Sequence, residues 1–364
     1  MKIFGQNLSL NLVHRISTAT LKPMVYYSMV LTLILFSGCG FEEATQTASR
    51  HETDGKLEAK FSDSPGSQEE FGWKELALIS DQRIPECSGM AISLKKPECF
   101  YMHNDRGNVN HFYAVDFDGE VLAAYRYSDM MLDWEDMAQF SIDGKSHLLI
   151  GYCGDGGGGD ERRLLIFEEP DIPKVRPTEP LSLKPEWIIP YRFKDGLIDV
   201  ESVAVDVIAQ KVYLITKNVD PAKMIMHDAL FELPLYSNER VNTPKALGFL
   251  RKIPPLMPHE TDNKWAQKGR GHEVTSCDLT PDGLHLLVLT HGDAFIYSRN
   301  QSEDWGAIVE QKIPLRVRLP GADILPQREA ACFIGRGLDF LVSSENPDVV
   351  FGKKQTLLLV QPKK

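Results

Sequence analysis

The chain has 364 residues, with 40 lysines and arginines against 51 aspartates and glutamates, and a formal charge of −11. An acidic protein of this size is a poor general binder of phosphate backbones, so no nucleic-acid polymer is expected as a partner. Its six cysteines follow no zinc-binding spacing.

Residues 1–23 carry Lys2, Arg15 and Lys22 and no acid; Met24 to Phe36 is almost wholly apolar, and Ser37-Gly38-Cys39 follows. A basic region, a short apolar core and small residues at a cut have the layout of a secretory signal. The apolar run falls short of the roughly 20 residues needed to span a bilayer. It resembles a bacterial lipoprotein signal, which implies removal of residues 1–38 and a lipid on Cys39. A plain signal peptide or an uncleaved anchor is the other reading. Gly40, not Asp, follows the cysteine, so inner-membrane retention is not indicated. The expected location is the bacterial cell envelope, extracytoplasmic, on the outer membrane if the source is Gram-negative, with the membrane touched only through the lipid. Residues 39–72 follow as an acidic segment; from Gly40 onward it holds eight acids against three bases. Such a stretch buries too little to offset its ordering entropy and reads as a flexible tether. Residues 73–364 are enough for one large domain.

Within that domain a glutamate precedes a short apolar strand five times, at Glu86, Glu135, Glu201, Glu273 and Glu329. The position three residues on is small each time: Gly89, Ala138, Ala204, Ser276 and Cys332. Steps of 49, 66, 72 and 56 residues are blade-sized and made of strands, which predicts an all-β, five-bladed β-propeller. Turns at Asp143-Gly144 and Asp282-Gly283 are strong hairpin signals. Apolar second strands follow near 99–103, 147–152, 211–216, 285–290 and 339–344, then third and fourth strands. The fifth repeat runs out of chain before a fourth strand, while an orphan strand, Lys74 to Ser80, precedes the first. The economical solution is a ring closed by that N-terminal strand in the last blade.

Innermost strands stand around a central channel, so the five glutamates are expected at one mouth. Two carboxylates about 6 Å apart repel by roughly 3 kcal/mol at an effective dielectric near 20. Two readings are open: a bound divalent cation, Ca²⁺ by its oxygen-only ligands, or carboxylates that accept backbone N–H bonds from adjacent blades. The loops after the second strands supply His103, Asp105 and Arg106, Asp155, Lys217, His291 and Glu345, which would line one ligand pocket over the channel. Turn chemistry alone also favours such residues there. No Gly-x-Ser-x-Gly elbow, His-Glu-x-x-His or paired Cys–His signals a nucleophile. Five cysteines, Cys87, Cys99, Cys153, Cys277 and Cys332, leave disulfide pairing undetermined.

The combination ECSGMAIS, FYMHNDRGN, DWEDMA and YCGDGGGGD resembles a group of secreted bacterial propellers with no settled activity, over most of residues 80–350. More distantly, Glu86, Ser88, Asp105 and Arg106 are similar to the first blade of calcium-activated nucleotidases (apyrases), and short acidic motifs of this kind occur in phytase-like propellers. That resemblance implies a central Ca²⁺ held by Glu135, Glu201 and Glu329, completed by Glu86 or Ser88 and by Glu273 or Ser276. Two functions are therefore carried forward: a propeller that binds a ligand over the glutamates, and a calcium-dependent phosphate-ester hydrolase with Arg106 holding charge and Asp105 orienting water.

Overall fold

A computed structural model describes residues 71–128, 133–154, 161–194, 198–217, 228–261 and 264–363. Strand β1 (Phe71–Ile79) precedes the first complete blade, which is β2 (Cys87–Ile92), β3 (Cys99–Asn104), β4 (His111–Asp116) and β5 (Val121–Tyr127). Blade two is β6 (Trp134–Ile142), β7 (Lys145–Tyr152), β8 (Arg162–Glu168) and, after the short β9 (Leu181–Leu183), β10 (Trp187–Tyr191). Blade three is β11 (Val200–Asp206), β12 (Lys211–Thr216), β13 (Ala229–Pro234) and β14 (Lys245–Phe249). A one-turn helix α1 (Lys264–Gln267) lies in the connection to blade four. That blade is β15 (Val274–Leu279), β16 (His285–Thr290), β17 (Ala294–Ser298) and, after helix α2 (Trp305–Gln311), β18 (Leu315–Val317). Blade five is β19 (Gln327–Phe333), β20 (Phe340–Glu345) and β21 (Gln355–Pro362), and its outer strand is β1.

The expected five-bladed ring, closed by an N-terminal strand, is therefore the fold. Strand β1 pairs antiparallel with β21 from Phe71↔Pro362 to Ile79↔Gln355, with one bulge near Leu76. Closure shows equally in the packing, because each interface between adjacent blades holds its own apolar cluster. Ile79, Met90, Met102, Cys332 and Leu341 fill the seam between blades five and one. The same holds between blades one and two, two and three, three and four, and four and five. Near-continuous apolar runs suit strands covered on both faces, as the wholly buried β2, β3 and β15 are.

The Asp143-Gly144 turn takes left-handed backbone at both residues, with φ of 51° and 78°, as a tight hairpin of that type requires. Besides the one-turn α1, two elements have no counterpart in the sequence reading. Strand β9 adds a parallel fifth strand to blade one, and α2 is capped by Asp304, whose side chain accepts from the Gly306 and Ala307 amides. The five cysteines Cys87, Cys99, Cys153, Cys277 and Cys332 are all buried and unpaired, so no disulfide joins them.

Every inner strand carries a register shift at its start: between Cys87 and Gly89, Trp134 and Met137, Val200 and Ser202, Val274 and Ser276, and Arg328 and Ala330. Such bulges re-aim a side chain toward the channel. They also show that the five glutamates are not equivalent. Glu201 and Glu329 occupy the bulge, Glu135 shares it with Asp136, while Glu86 and Glu273 stand two residues ahead of the bulged Ser88 and Thr275. Gly89 has a separate reason to be small. A methyl there would strike the His103 ring and approach the Met137 nitrogen to 2.8 Å and the Asp136 carbonyl carbon to 2.9 Å. Gly89→Ala is expected to lower stability by about 1–3 kcal/mol. Urea unfolding of Gly89→Ala/His103→Ala should recover only part of that loss, because the backbone atoms stay; full recovery would assign the whole clash to His103.

Candidate functional site

At the mouth of the channel where the inner strands begin lies a cavity of about 420 Å³. Blade one contributes Glu86, Ser88, Asp105 and Arg106, blade two Glu135, and blade three Asp199, Glu201 and Lys217. Blade five adds Gln327, Glu329 and Glu345, and the connection into blade four adds Trp265 and Arg270. The site residues expected from the sequence divide between those that reach this cavity and those that do not.

Glu86, Glu135, Glu201 and Glu329 converge on the cavity, as do Asp105, Arg106, Lys217 and Glu345. Glu273 does not line it: its buried carboxylate accepts from Arg270 Nε at 2.6 Å, whereas Glu86, which stands equally ahead of its bulge, does reach the cavity. His103 does not line it either. Its ring is fully buried, 5.3 Å from Trp134 in an edge-on contact, with Nδ1 3.0 Å from the Asn104 carbonyl oxygen. Still on β3, it packs over Gly89 instead of reaching the loop. His291 lies beneath the cavity wall, stacked under Trp265 at 5.0 Å with Nδ1 3.6 Å from Glu329 Oε1. Burial holds both imidazoles below the ordinary histidine range, His103 at about 4. Asp155 and Cys39 lie outside the described residues.

The densest part of the site surrounds Glu135. Its carboxylate forms one group with Asp105 and Asp133 and another with Asp199 and Glu201, oxygen atoms in each lying within 4.8 Å of one another. At that separation a pair of charges repels by about 3 kcal/mol at an effective dielectric near 20. Burial first, then the charges of Glu201 and Asp105, push the Glu135 carboxyl well above the usual range. Burial likewise raises Glu329, raises Glu345 to about 8 and raises Asp105 to about 6. Gly154 makes the crowding possible, since a methyl there would collide with Glu135 Oε1 and Asp133 Oδ2.

Cations answer part of this charge. Lys217 Nζ sits 2.8 Å from Glu201 Oε2. Burial works against its ammonium, yet Glu201 and Glu329 overcome that and push its pKa up. Arg106 and Arg270 line the same cavity. Gln327 Nε2 donates to Glu329 Oε1 at 2.9 Å and to Glu345, tying two carboxylates by an amide. Asn108 donates to Glu86 Oε2 at 2.7 Å. Carboxylates still outnumber cations along the wall, a donor set of hard oxygens suited to Ca²⁺ or Mg²⁺.

Backbone stapling between blades exists, but other residues perform it. Asp136, fully buried, accepts from the Val203 and Cys277 amides at 3.0 and 3.1 Å and from the Met137 amide at 2.9 Å. Ser276 Oγ donates to it at 3.1 Å, and Asp278 accepts from the Phe333 amide at 2.8 Å. Ser88 donates to the Glu135 carbonyl oxygen at 2.5 Å. Asp133, a member of the Glu135 carboxylate group, and the cavity residues Asp199, Trp265, Arg270 and Gln327 were missed. The acid pairs in LDWED and LIDVES were a usable signal for the first two; the long connection carrying Trp265 offered none.

No family model and no curated protein matches the chain. Among solved structures it is similar to the PQQ-bound form of aldose sugar dehydrogenase from Streptomyces coelicolor, at 10% identity and a TM-score of 0.40, over 81% of this chain and 100% of that one. It is also similar to Kuenenia stuttgartiensis hydrazine synthase, at 10% identity and a TM-score of 0.38, over 74% and 82%. Neither likeness bears on the chemistry of the cavity.

Proposed function

We propose that this propeller is a lipid-anchored, extracytoplasmic protein that binds a small anionic ligand over a divalent cation, calcium by donor chemistry, in the central cavity. The observation that carries this reading is the pair of carboxylate groups sharing Glu135, at a 420 Å³ cavity that Arg106, Lys217 and Arg270 also line. Carboxylates alone would repel an anion, and cations alone would not hold a metal; the two together fit a metal-bridged anion. Asp105, Asp133, Glu135, Asp199 and Glu201 would hold the ion. Calorimetry on metal-stripped protein should show calcium binding that weakens at least about tenfold in Glu135→Gln. Equal heats in wild type and variant would remove the metal from this site.

Phosphate-ester hydrolysis is the second reading, favoured by the meeting of Asp105, Arg106 and Lys217 in the same cavity. A divalent cation there supplies Lewis acidity toward a phosphoryl oxygen. Arg106 and Lys217 hold the developing negative charge. Asp105, raised to about 6 by burial, is placed in the range for taking a proton from water near neutral pH. Nucleotides, phytate and simple phosphate esters assayed with added calcium test it. Turnover should fall by about 10²-fold or more in Asp105→Asn. Calcium binding without turnover of any of them leaves the binding reading alone.

A further inference from the structure

A second cavity, about 340 Å³, lies on the outer rim of the ring, along the last strand of blade two and the connection after β13. It shares no lining residue with the central one. Its wall is an aromatic pair: the Trp187 and Tyr236 rings stack at 5.2 Å and 28°. Trp187 is fixed from behind, its indole N–H donating to the Leu235 carbonyl oxygen at 3.3 Å and its ring edge-on to His147 at 5.3 Å. His147 in turn lies 3.0 Å from a Glu186 carboxylate oxygen. Trp187 is thus held in place by the core, and Tyr236, stacked on it, is 50% exposed.

The polar groups beside it are neutral or acceptors. Asn242 is anchored through Nδ2 to the Pro190 carbonyl oxygen at 3.0 Å. Among the described residues the Asn238 side chain bonds to nothing, and Glu186 completes the set. Among the described residues no lysine or arginine lines the cavity. A rigid aromatic face offers a surface for apolar C–H groups, while amides and a carboxylate offer donors and acceptors for hydroxyls. The volume is at the low end for small-ligand pockets.

We propose that this rim cavity binds one unit of a neutral saccharide, its C–H face against the Trp187–Tyr236 platform and its hydroxyls on Asn238, Asn242 and Glu186. Saturation-transfer NMR on the full chain tests it, with glucose, galactose, N-acetylglucosamine and their tetramers as probes and choline as the cationic comparison. Ring protons of at least one sugar should saturate, with binding unchanged by EDTA. Tyr236→Ala, at an exposed position, should weaken that binding about tenfold while circular dichroism stays native, and Asn238→Ala should weaken it less. Absence of transfer to every neutral sugar, equal affinity in Tyr236→Ala, or saturation of choline alone would each overturn the assignment.

Discussion

Asp136→Ala is expected to destabilise the ring by about 4 kcal/mol, with loss of cooperative unfolding at the warm end. The carboxylate is buried where the inner strands of blades two, three and four meet, and it accepts from one amide of blade three and one of blade four. Burial pushes its pKa up, while the three backbone amides and the Ser276 hydroxyl pull the other way. Truncation leaves the Val203 and Cys277 N–H groups buried without an acceptor, at about 1–3 kcal/mol each, and opens a small void. Asp136→Asn keeps the volume but turns an amide nitrogen toward one pair of donors, so a loss of about 2–3 kcal/mol is expected. Exposed Asp118→Ala should stay within about 0.5 kcal/mol of wild type. Urea midpoints at fixed calcium measure all three. The neighbouring residue separates architecture from binding: Glu135→Gln should weaken calcium binding and keep stability in EDTA, whereas Asp136→Asn should do the reverse. A cost below about 1 kcal/mol for Asp136→Ala would mean that the channel centre is solvated and the staple idle.

The blades were legible because their signals are local. Asp143-Gly144 and Asp282-Gly283 mark turns, and the runs between them are apolar on both faces. The closing strand followed from counting strands at the two ends. The site was legible to the level of its loops: Asp105, Arg106, Lys217 and Glu345 reach the cavity as read. What failed was register. A bulge shifts which residue faces the channel, and no pattern in VESVAVDV or HEVTSCDL distinguishes the strand that bulges at its glutamate from the one that bulges two residues later. Register alone does not decide the outcome, because Glu86 and Glu273 both stand two residues ahead of their bulges, yet Glu86 reaches the cavity and Glu273 pairs with Arg270. The blade-to-blade bonds belong to Asp136 and Ser276. His103 and His291 failed for a different reason. Each sits at the end of a second strand, where one residue decides between loop and core, and each ring is buried against an indole, His103 on Trp134 and His291 on Trp265. Trp265 and Arg270 come from a long connection without periodicity, so only the folded chain brings them to the rim.

In chelator, the protein should lose stability as pH rises from about 6.5 to 8.5, and calcium should abolish most of that loss. Glu135, Glu329 and Glu345 all have folded pKa values raised above the unfolded ones, Glu345 to about 8. Across that window the folded state holds protons that the unfolded chain has already released. Stability therefore falls with pH, by at most about 1.4 kcal/mol per pH unit for each proton held. The sign is the opposite of an ion-paired carboxylate. His103 and His291, held neutral by burial, act in reverse, but only below the unfolded histidine pKa near 6.5, so the window avoids them. Lys217 stays charged throughout, because its pKa is pushed up. A bound divalent cation takes the place of those protons: at a hundred times its Kd it adds about 2.7 kcal/mol, most of it at the alkaline end where the bare carboxylates repel. Thermal unfolding followed across the window, in EDTA and in millimolar calcium, gives both slopes. Glu345→Gln should flatten the EDTA curve, since that side chain no longer has a proton to lose. Stability rising with pH in EDTA would show that the carboxylates are ionised and paired in the folded state. Parallel falling curves in EDTA and calcium would leave the acidic bowl in place but without its metal.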